Sequence, residues 1–314
     1  MDELLDSALI ARLSRLDVTS RKVFSGKLKG ERRSKKRGES VEFADHRPYV
    51  VGDDLRHIDW NIFGRLDRLF LKLFLEEEDL SLHIVIDASE SADCGQPNKF
   101  FYAQQFAMAL GYIGLINLNR VAITAIGGYI DTGKESPDEP RPSGSGPDSP
   151  PALDTIRDLR GRRRTQDLAR FLCSLRPAGS TDFRDQAKRI ALARRGKGVM
   201  VVVSDFFMKE GYEDGLRLLV GRGYDLFALQ CLSPQEVEPD IGGDLKLVDV
   251  EDGDRAEVTI SAPLLKRYKQ NLAAYCGGLR DFCARREITA LTVRTDTPVD
   301  VLLLDYLRRR GLVR

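Results

Sequence analysis

The stretch of this chain best suited to chemistry is Asp87-Ala88-Ser89-Glu90-Ser91. Asp87 supplies a carboxylate, and Ser89 and Ser91 supply hydroxyls at alternate positions. Where the backbone is still extended, alternate side chains share one side, so these three can face one point. One carboxylate and two hydroxyls are hard oxygen donors, of the kind Mg²⁺ accepts while it keeps several waters. Asp and Ser also favour a turn followed by a helix cap, and the pentapeptide alone does not decide between the two readings. A second acid bears on that choice: Asp205 directly follows Val199–Ser204, a nearly continuous β-branched run.

Strands must carry both acids. Leu80–Ile86 is mostly apolar and β-branched toward its end, which predicts a buried strand finishing at Asp87. Val199–Ser204 predicts another. Buried parallel strands that each end in an acid bring the two carboxylates to one carboxyl edge, where open α/β sheets bind ligands. The surrounding pattern alternates. Helices are predicted over Lys99–Leu118 (with Phe106, Leu110, Ile113 and Ile116 toward a core), Thr165–Leu175, Gln186–Arg194, Gly211–Val220, Pro263–Arg286 and Val299–Arg310. Further strands are predicted over Arg120–Ile126, Asp225–Cys231 and Ile288–Val293, and a hairpin joins Lys246–Val250 to Glu257–Ile260 through Glu251-Asp252-Gly253-Asp254. This order predicts a doubly wound, mainly parallel α/β sheet.

That domain is expected over residues 79–314, with a Gly/Pro/Ser-rich insertion near 133–151. Residues 1–78 are expected to form an N-terminal part of three pieces. The first is an amphipathic helix, Asp2–Val18, with Leu5, Leu9, Leu13 and Leu16 along one side. The second is a basic stretch: Arg21, Lys22, Lys27, Lys29, Arg32, Arg33, Lys35, Lys36 and Arg37. It reads first as a solvated loop, and otherwise as a site for phosphates or an acidic partner. The third is a small β-rich lobe over Val41–Leu75, with a turn at Gly52-Asp53-Asp54.

With 31% charged residues and a net charge of +1, the chain has no global pull toward nucleic acid. No aromatic platform interleaves with Lys29–Arg37, so base stacking has no support either. The five cysteines are widely spaced, without a CxxC pair or a zinc spacing. Cys276 and Cys283 are expected to share the buried face of a helix. No apolar run is long enough to span a bilayer and no signal-peptide core opens the chain, so a reduced, cytoplasmic protein is expected.

Between the lobe's two strands lies RxYxxGDDxRxIDW: Arg47, Tyr49, Gly52, Asp53, Asp54, Arg56, Ile58, Asp59 and Trp60. Guanidinium forks grip carboxylates bidentately, so this string predicts a structural clamp fixing the lobe to the main sheet. No nucleophile–base pair is visible in it, and His46 and His57 read as isolated histidines. Followed by a strand and then DxSxS, the string resembles the domain of unknown function fifty-eight family, over about Gly30 to Phe207.

The resemblance implies a von Willebrand factor A-like domain whose metal-ion-dependent adhesion site holds one divalent ion. By position it implies Asp87, Ser89, Ser91, Thr181 (in the turn Pro177–Phe183) and Asp205 as its ligands, with Mg²⁺ as the ion and Mn²⁺ or Ca²⁺ as alternatives. It further implies a non-enzymatic protein-interaction module that partners a MoxR-type AAA+ ATPase and a client protein in chaperone-like assembly or maturation. The competing reading is a metal-dependent phosphatase or phosphotransferase with Asp87 as nucleophile. That chemistry commonly places a second acid two residues on, where this chain has Ser89. The chain also lacks a Walker A loop, so ATP hydrolysis by the protein itself is not expected.

Overall fold

The computed structural model describes residues 4–19, 42–51, 55, 58–75, 80–131, 153–180, 182–193, 198–250 and 253–313, and for 42–45 and 72–75 the backbone alone. The basic stretch, Gly52-Asp53-Asp54, Arg56, His57, the 133–151 insertion, Thr181 and Glu251-Asp252 lie outside the described residues. Two compact units emerge, Lys27–Asp79 and a larger one made of Met1–Gly26 with Leu80–Arg314.

The smaller unit is built on an antiparallel pair, β1 (Glu42–Pro48) and β2 (Phe70–Leu75), with a slip in register between Phe43 and Asp45. It also contains a short helix the residue pattern did not announce, Trp60–Leu66. Asp59 starts that helix, its Oδ1 accepting the N–H groups of Asn61 at 2.9 Å and Ile62 at 3.2 Å. Capping of this kind satisfies donors that a helix's first turn otherwise leaves open.

The larger unit contains β3 (Ser81–Asp87), β4 (Arg120–Ile126), β5 (Tyr129–Ile130), β6 (Asp154–Leu159), β7 (Leu175–Arg176), β8 (Gly198–Ser204), β9 (Asp225–Leu232), β10 (Gly243–Val248), β11 (Arg255–Ile260) and β12 (Thr289–Arg294). Six of these form the central sheet in the order β12-β9-β8-β3-β4-β6, parallel throughout except where β6 pairs antiparallel with β4. Counted in chain order from the β6 edge, the six run 3-2-1-4-5-6. Winding therefore reverses between β3 and β8, and the crevice beyond their carboxyl ends is the usual ligand position in such sheets.

Both faces of the sheet are covered, which explains the unbroken apolar runs of its strands. On β3, Leu82, Ile84 and Ile86 enter one buried cluster while Val85 enters another, and β8 likewise divides Val199, Val201 and Val203 from Met200 and Val202. The helix Lys99–Ile116 is buried at every residue from Phe106 to Leu115. Over that span it is apolar all round because the helix lies against the sheet, the helix Thr165–Ser174 and the N-terminal helix together. Cys276 and Cys283 are both buried on the helix Ala262–Ala284, as their spacing indicates, and all five cysteines are free thiols.

Several elements differ from their expected form. The N-terminal helix covers only Ser7–Leu13, and Leu5, Leu13, Leu16 and Val18 are buried in the larger unit's core, so it belongs there rather than with the lobe. The antiparallel edge strand β6 was not foreseen: its DTIRDL sequence is polar, as an edge tolerates, and hides the period. A short helix, Pro234–Val237, follows β9 with a full capping box. The last predicted helix breaks into Val299–Val301 followed by a π-helical turn, Leu302–Leu307. Among the described residues, no helix is long and apolar enough to cross a membrane.

Candidate metal centre

β3 delivers Asp87 to the switch point. Its side chain is buried, with Oδ1 accepting the backbone N–H of Ser89 at 3.1 Å and Oδ2 accepting the hydroxyl of Ser204, at the end of β8, at 2.6 Å. The backbone stays extended at Ser89 (φ −65, ψ 162) before the 3-10 turn Glu90–Ala92 begins. The extended backbone ends at Ser89 and Ser91 lies inside the turn, which still brings the Ser89 and Ser91 hydroxyl oxygens 3.0 Å apart, sharing a hydrogen bond. Ser89 opens the short turn without a side-chain bond to it, so its hydroxyl pairs with Ser91 instead of capping the turn.

Asp205 follows β8 and is also buried. Its Oδ1 accepts the N–H of Phe207 at 2.9 Å, and its backbone carbonyl accepts the side-chain N–H of Gln230 at 3.0 Å. The next residue, Phe206, has a left-handed φ of 61. Packing and hydrogen bonds offset that strain: Phe183 and Tyr212 meet its ring edge-on, its N–H donates to the Ser204 hydroxyl, and the Tyr275 hydroxyl donates to its carbonyl. The bend at Phe206 fixes where Asp205 points.

The turn named in the sequence after Arg176 is laced to the Asp87 loop. Ala178 N–H donates to Ala88 carbonyl at 3.1 Å, Glu90 N–H donates to Gly179 carbonyl at 2.9 Å, and Gly128 N–H donates to Ala178 carbonyl at 3.0 Å. Gly128 must be glycine: its φ is +64, and a Cβ there would lie 2.5 Å from the Arg176 carbonyl oxygen and 2.8 Å from the Ala88 side chain. Ser180 is exposed, and Asp182 accepts the Asp185 N–H at 2.9 Å, starting the helix Phe183–Ala193.

The sequence marks Lys99 only as a helix start, and the structure brings it into the site. Its side chain is 4% exposed, with Nζ donating to Asp205 Oδ2 at 2.6 Å and to Glu236 Oε1 at 2.7 Å. Glu236 is held in turn by its own capping box, Oε2 accepting the Ser233 N–H at 2.7 Å. Two signals could have marked these residues: a lysine opening a helix that is otherwise apolar, and an S-x-x-E box immediately after a buried strand. Asp87, Lys99, Ser204 and Asp205 share the wall of a cavity of about 10 Å³ closed by Phe100, Val203 and Cys231. That is room for about one water.

Burial, and next the charge of Asp205, push the Asp87 carboxyl up to about 6 against the hydrogen bonds from Ser204 and Ser89. At Lys99 burial works to lower the ammonium's pKa, but Asp205 and Glu236 overcome it and hold it above the usual lysine value.

The donor chemistry of Asp87, Ser89 and Ser91 fits a hard divalent cation. Among the described residues no three His, Cys, Asp or Glu side chains gather as a metal-binding group, so the fit depends on the two hydroxyls. Asp205 reaches the same edge but gives one oxygen to Lys99 and the other to a backbone N–H. In the lobe, His46 is not isolated: its Nε2 lies 2.9 Å from Asp59 Oδ2, so Asp59 joins a histidine and a helix start. Tyr49 donates its N–H to the Leu69 carbonyl, Arg47 stands opposite Leu71 in the β1–β2 register, and Trp60 meets Phe63 edge-on at 6.0 Å.

Compared with known proteins, the chain is 26% identical over 98% of its length to the uncharacterized protein Rv1480 of Mycobacterium tuberculosis (strain H37Rv), covering 92% of that protein. The uncharacterized protein MAV169 of Mycobacterium avium is 31% identical over 48% of this chain and 92% of its own length. Among solved structures, the conserved hypothetical protein BatB from Bacteroides thetaiotaomicron aligns over 73% of this chain and 98% of its own, at 10% identity and a TM-score of 0.40. An aerotolerance-related membrane protein from Bacteroides fragilis aligns over 74% of this chain and 98% of its own, at 12% identity and a TM-score of 0.38. The model of the family described as protein of unknown function DUF58 matches residues 45–136 and 151–275. The match takes in the Asp59 motif, the loop after Asp87 and Asp205, and the chain belongs to that family.

Proposed function

We propose that this protein is a non-enzymatic, divalent-metal-dependent protein-interaction module. In this reading it serves as an adaptor of a MoxR-type AAA+ ATPase acting on a client protein, in chaperone-like assembly or maturation. The observation that carries the reading is the place of Asp87 at the switch point of the sheet, accepting the Ser89 N–H, with the Ser89 and Ser91 hydroxyls paired 3.0 Å apart in the loop that follows. Asp87, Ser89 and Ser91 would hold Mg²⁺ (or Mn²⁺ or Ca²⁺), with Thr181 and Asp205 contributing directly or through waters. When bound, the ion supplies an electrophilic centre that a partner's carboxylate can satisfy.

The chain's own residues prepare that centre. Ser204 donates to Asp87 and fixes its rotamer from the neighbouring strand, as hydrogen bonds to metal ligands do. The lacing of Ala88 and Glu90 to Ala178 and Gly179 keeps the loop in place beforehand, so little ordering entropy remains to be lost on binding. Affinity capture of the full chain from its native cell tests the reading. A AAA+ ATPase should co-purify in Mg²⁺ and be lost in chelator or with Asp87→Ala. Capture of the ATPase at equal yield in chelator would show that the partner uses another surface.

A further inference from the structure

We infer that Lys99 is a built-in cation that neutralises Asp205 in the ion-free protein, and that a divalent ion taken up beside it binds against this fixed positive charge. The inference rests on the reading that Asp87, Ser89 and Ser91 hold such an ion, and it adds what sets the ion's affinity.

An ammonium that is 4% exposed must be paired, and Lys99 has two carboxylates from separate parts of the chain, Asp205 after β8 and Glu236 after β9. It cannot retreat easily. Lys99 sits on the first turn of a helix buried at every residue from Phe106 to Leu115, so the backbone is held and only the side chain can turn. Asp205 is equally committed, one oxygen to Lys99 at 2.6 Å and the other to the Phe207 N–H at 2.9 Å.

Lys99, Asp205 and Asp87 line one cavity and are all buried, so solvent screens their charges only weakly. Ser89 and Ser91 are absent from that lining: Ser89 donates its N–H to Asp87 from the loop, and its hydroxyl pairs with that of Ser91. The lysine thus lies on the cavity side, and the two hydroxyls lie in the loop that follows Asp87. The ammonium pairs with two carboxylates, Asp205 and Glu236, and Asp205 in turn repels the Asp87 carboxylate, which leaves negative charge for an ion to neutralise and also a positive charge to oppose it. Taking the lysine away strengthens that pull and removes the opposition.

The test is titration calorimetry of MgCl₂ and MnCl₂ into the full chain, as wild type, Lys99→Met and Lys99→Arg. Lys99→Met should bind at least about tenfold more tightly than wild type, because a unit charge in a poorly screened site is removed. Lys99→Arg, which keeps the charge, should stay near wild type. Equal or weaker binding by Lys99→Met while wild type binds would overturn this inference and leave the metal reading standing. The same gain in Lys99→Arg would overturn it too, since charge would not be the cause. No binding by any of the three proteins would defeat the metal reading itself, and this inference with it. If Lys99→Met fails to fold without ion, circular dichroism during a Mg²⁺ titration decides: recovery of the folded spectrum at millimolar Mg²⁺ is expected, and its absence contradicts the inference.

Discussion

At the scale of residues, Asp87 carries the largest consequence. Its carboxyl is pushed from an ordinary value of 3.8 up to about 6, by burial first and by Asp205 second. A folded-state value above the unfolded one means that the folded protein holds the proton more tightly. This group's contribution is therefore full below about pH 4 and is lost as pH rises through about 6. Denaturant unfolding in chelator should show wild type losing up to about 3 kcal/mol across that window relative to Asp87→Asn, which has no such proton to lose. Parallel pH profiles for the two proteins would contradict this. Ser204→Ala removes a hydroxyl donor from a buried carboxylate and should cost about 1.5–3 kcal/mol in the same assay. Asp87, Ser89 and Ser91 were legible in the sequence because their alternation is local. Lys99 was not, because its partners lie 106 and 137 positions away, and the lysine at the helix start and the box at Glu236 point to a pairing only once the fold joins them.

Elements position these groups by meeting at one edge. The strands that carry the acids could be read directly, since burial on both faces leaves unbroken apolar runs in β3 and β8. Elements with weaker patterns could not. The edge strand β6 is polar, and the helix Pro234–Val237 is a single turn whose signal is its cap rather than its period. The helix Trp60–Leu66 was hidden for a related reason: Asp59 stands among dense opposite charges that do not reveal its part as a helix cap meeting His46. Gly128 is the element-scale test. An alanine there combines a left-handed φ with contacts near 2.5 Å, so Gly128→Ala should lower stability by about 1–3 kcal/mol. It should also weaken Mg²⁺ binding, because the turn at Ala178 and the loop at Ala88 must part to admit a methyl group. Unchanged stability would show that the loops yield, and that their lacing does not hold the site.

At the scale of the whole molecule, a doubly wound sheet brings together carboxylates that are far apart in the chain and sets them where its winding reverses. This much followed from sequence, because the alternation of strands and helices leaves few topologies open. The family's membership adds no chemistry by itself, so the account stands on whether the Asp87 loop takes up an ion. Titration calorimetry of Mg²⁺ and Mn²⁺ into wild type and Asp87→Ala, both confirmed folded by circular dichroism, measures that most directly. Saturable binding by wild type that is abolished in Asp87→Ala is the expected result. Equal binding by both proteins, or none by wild type, would contradict the assignment of the site.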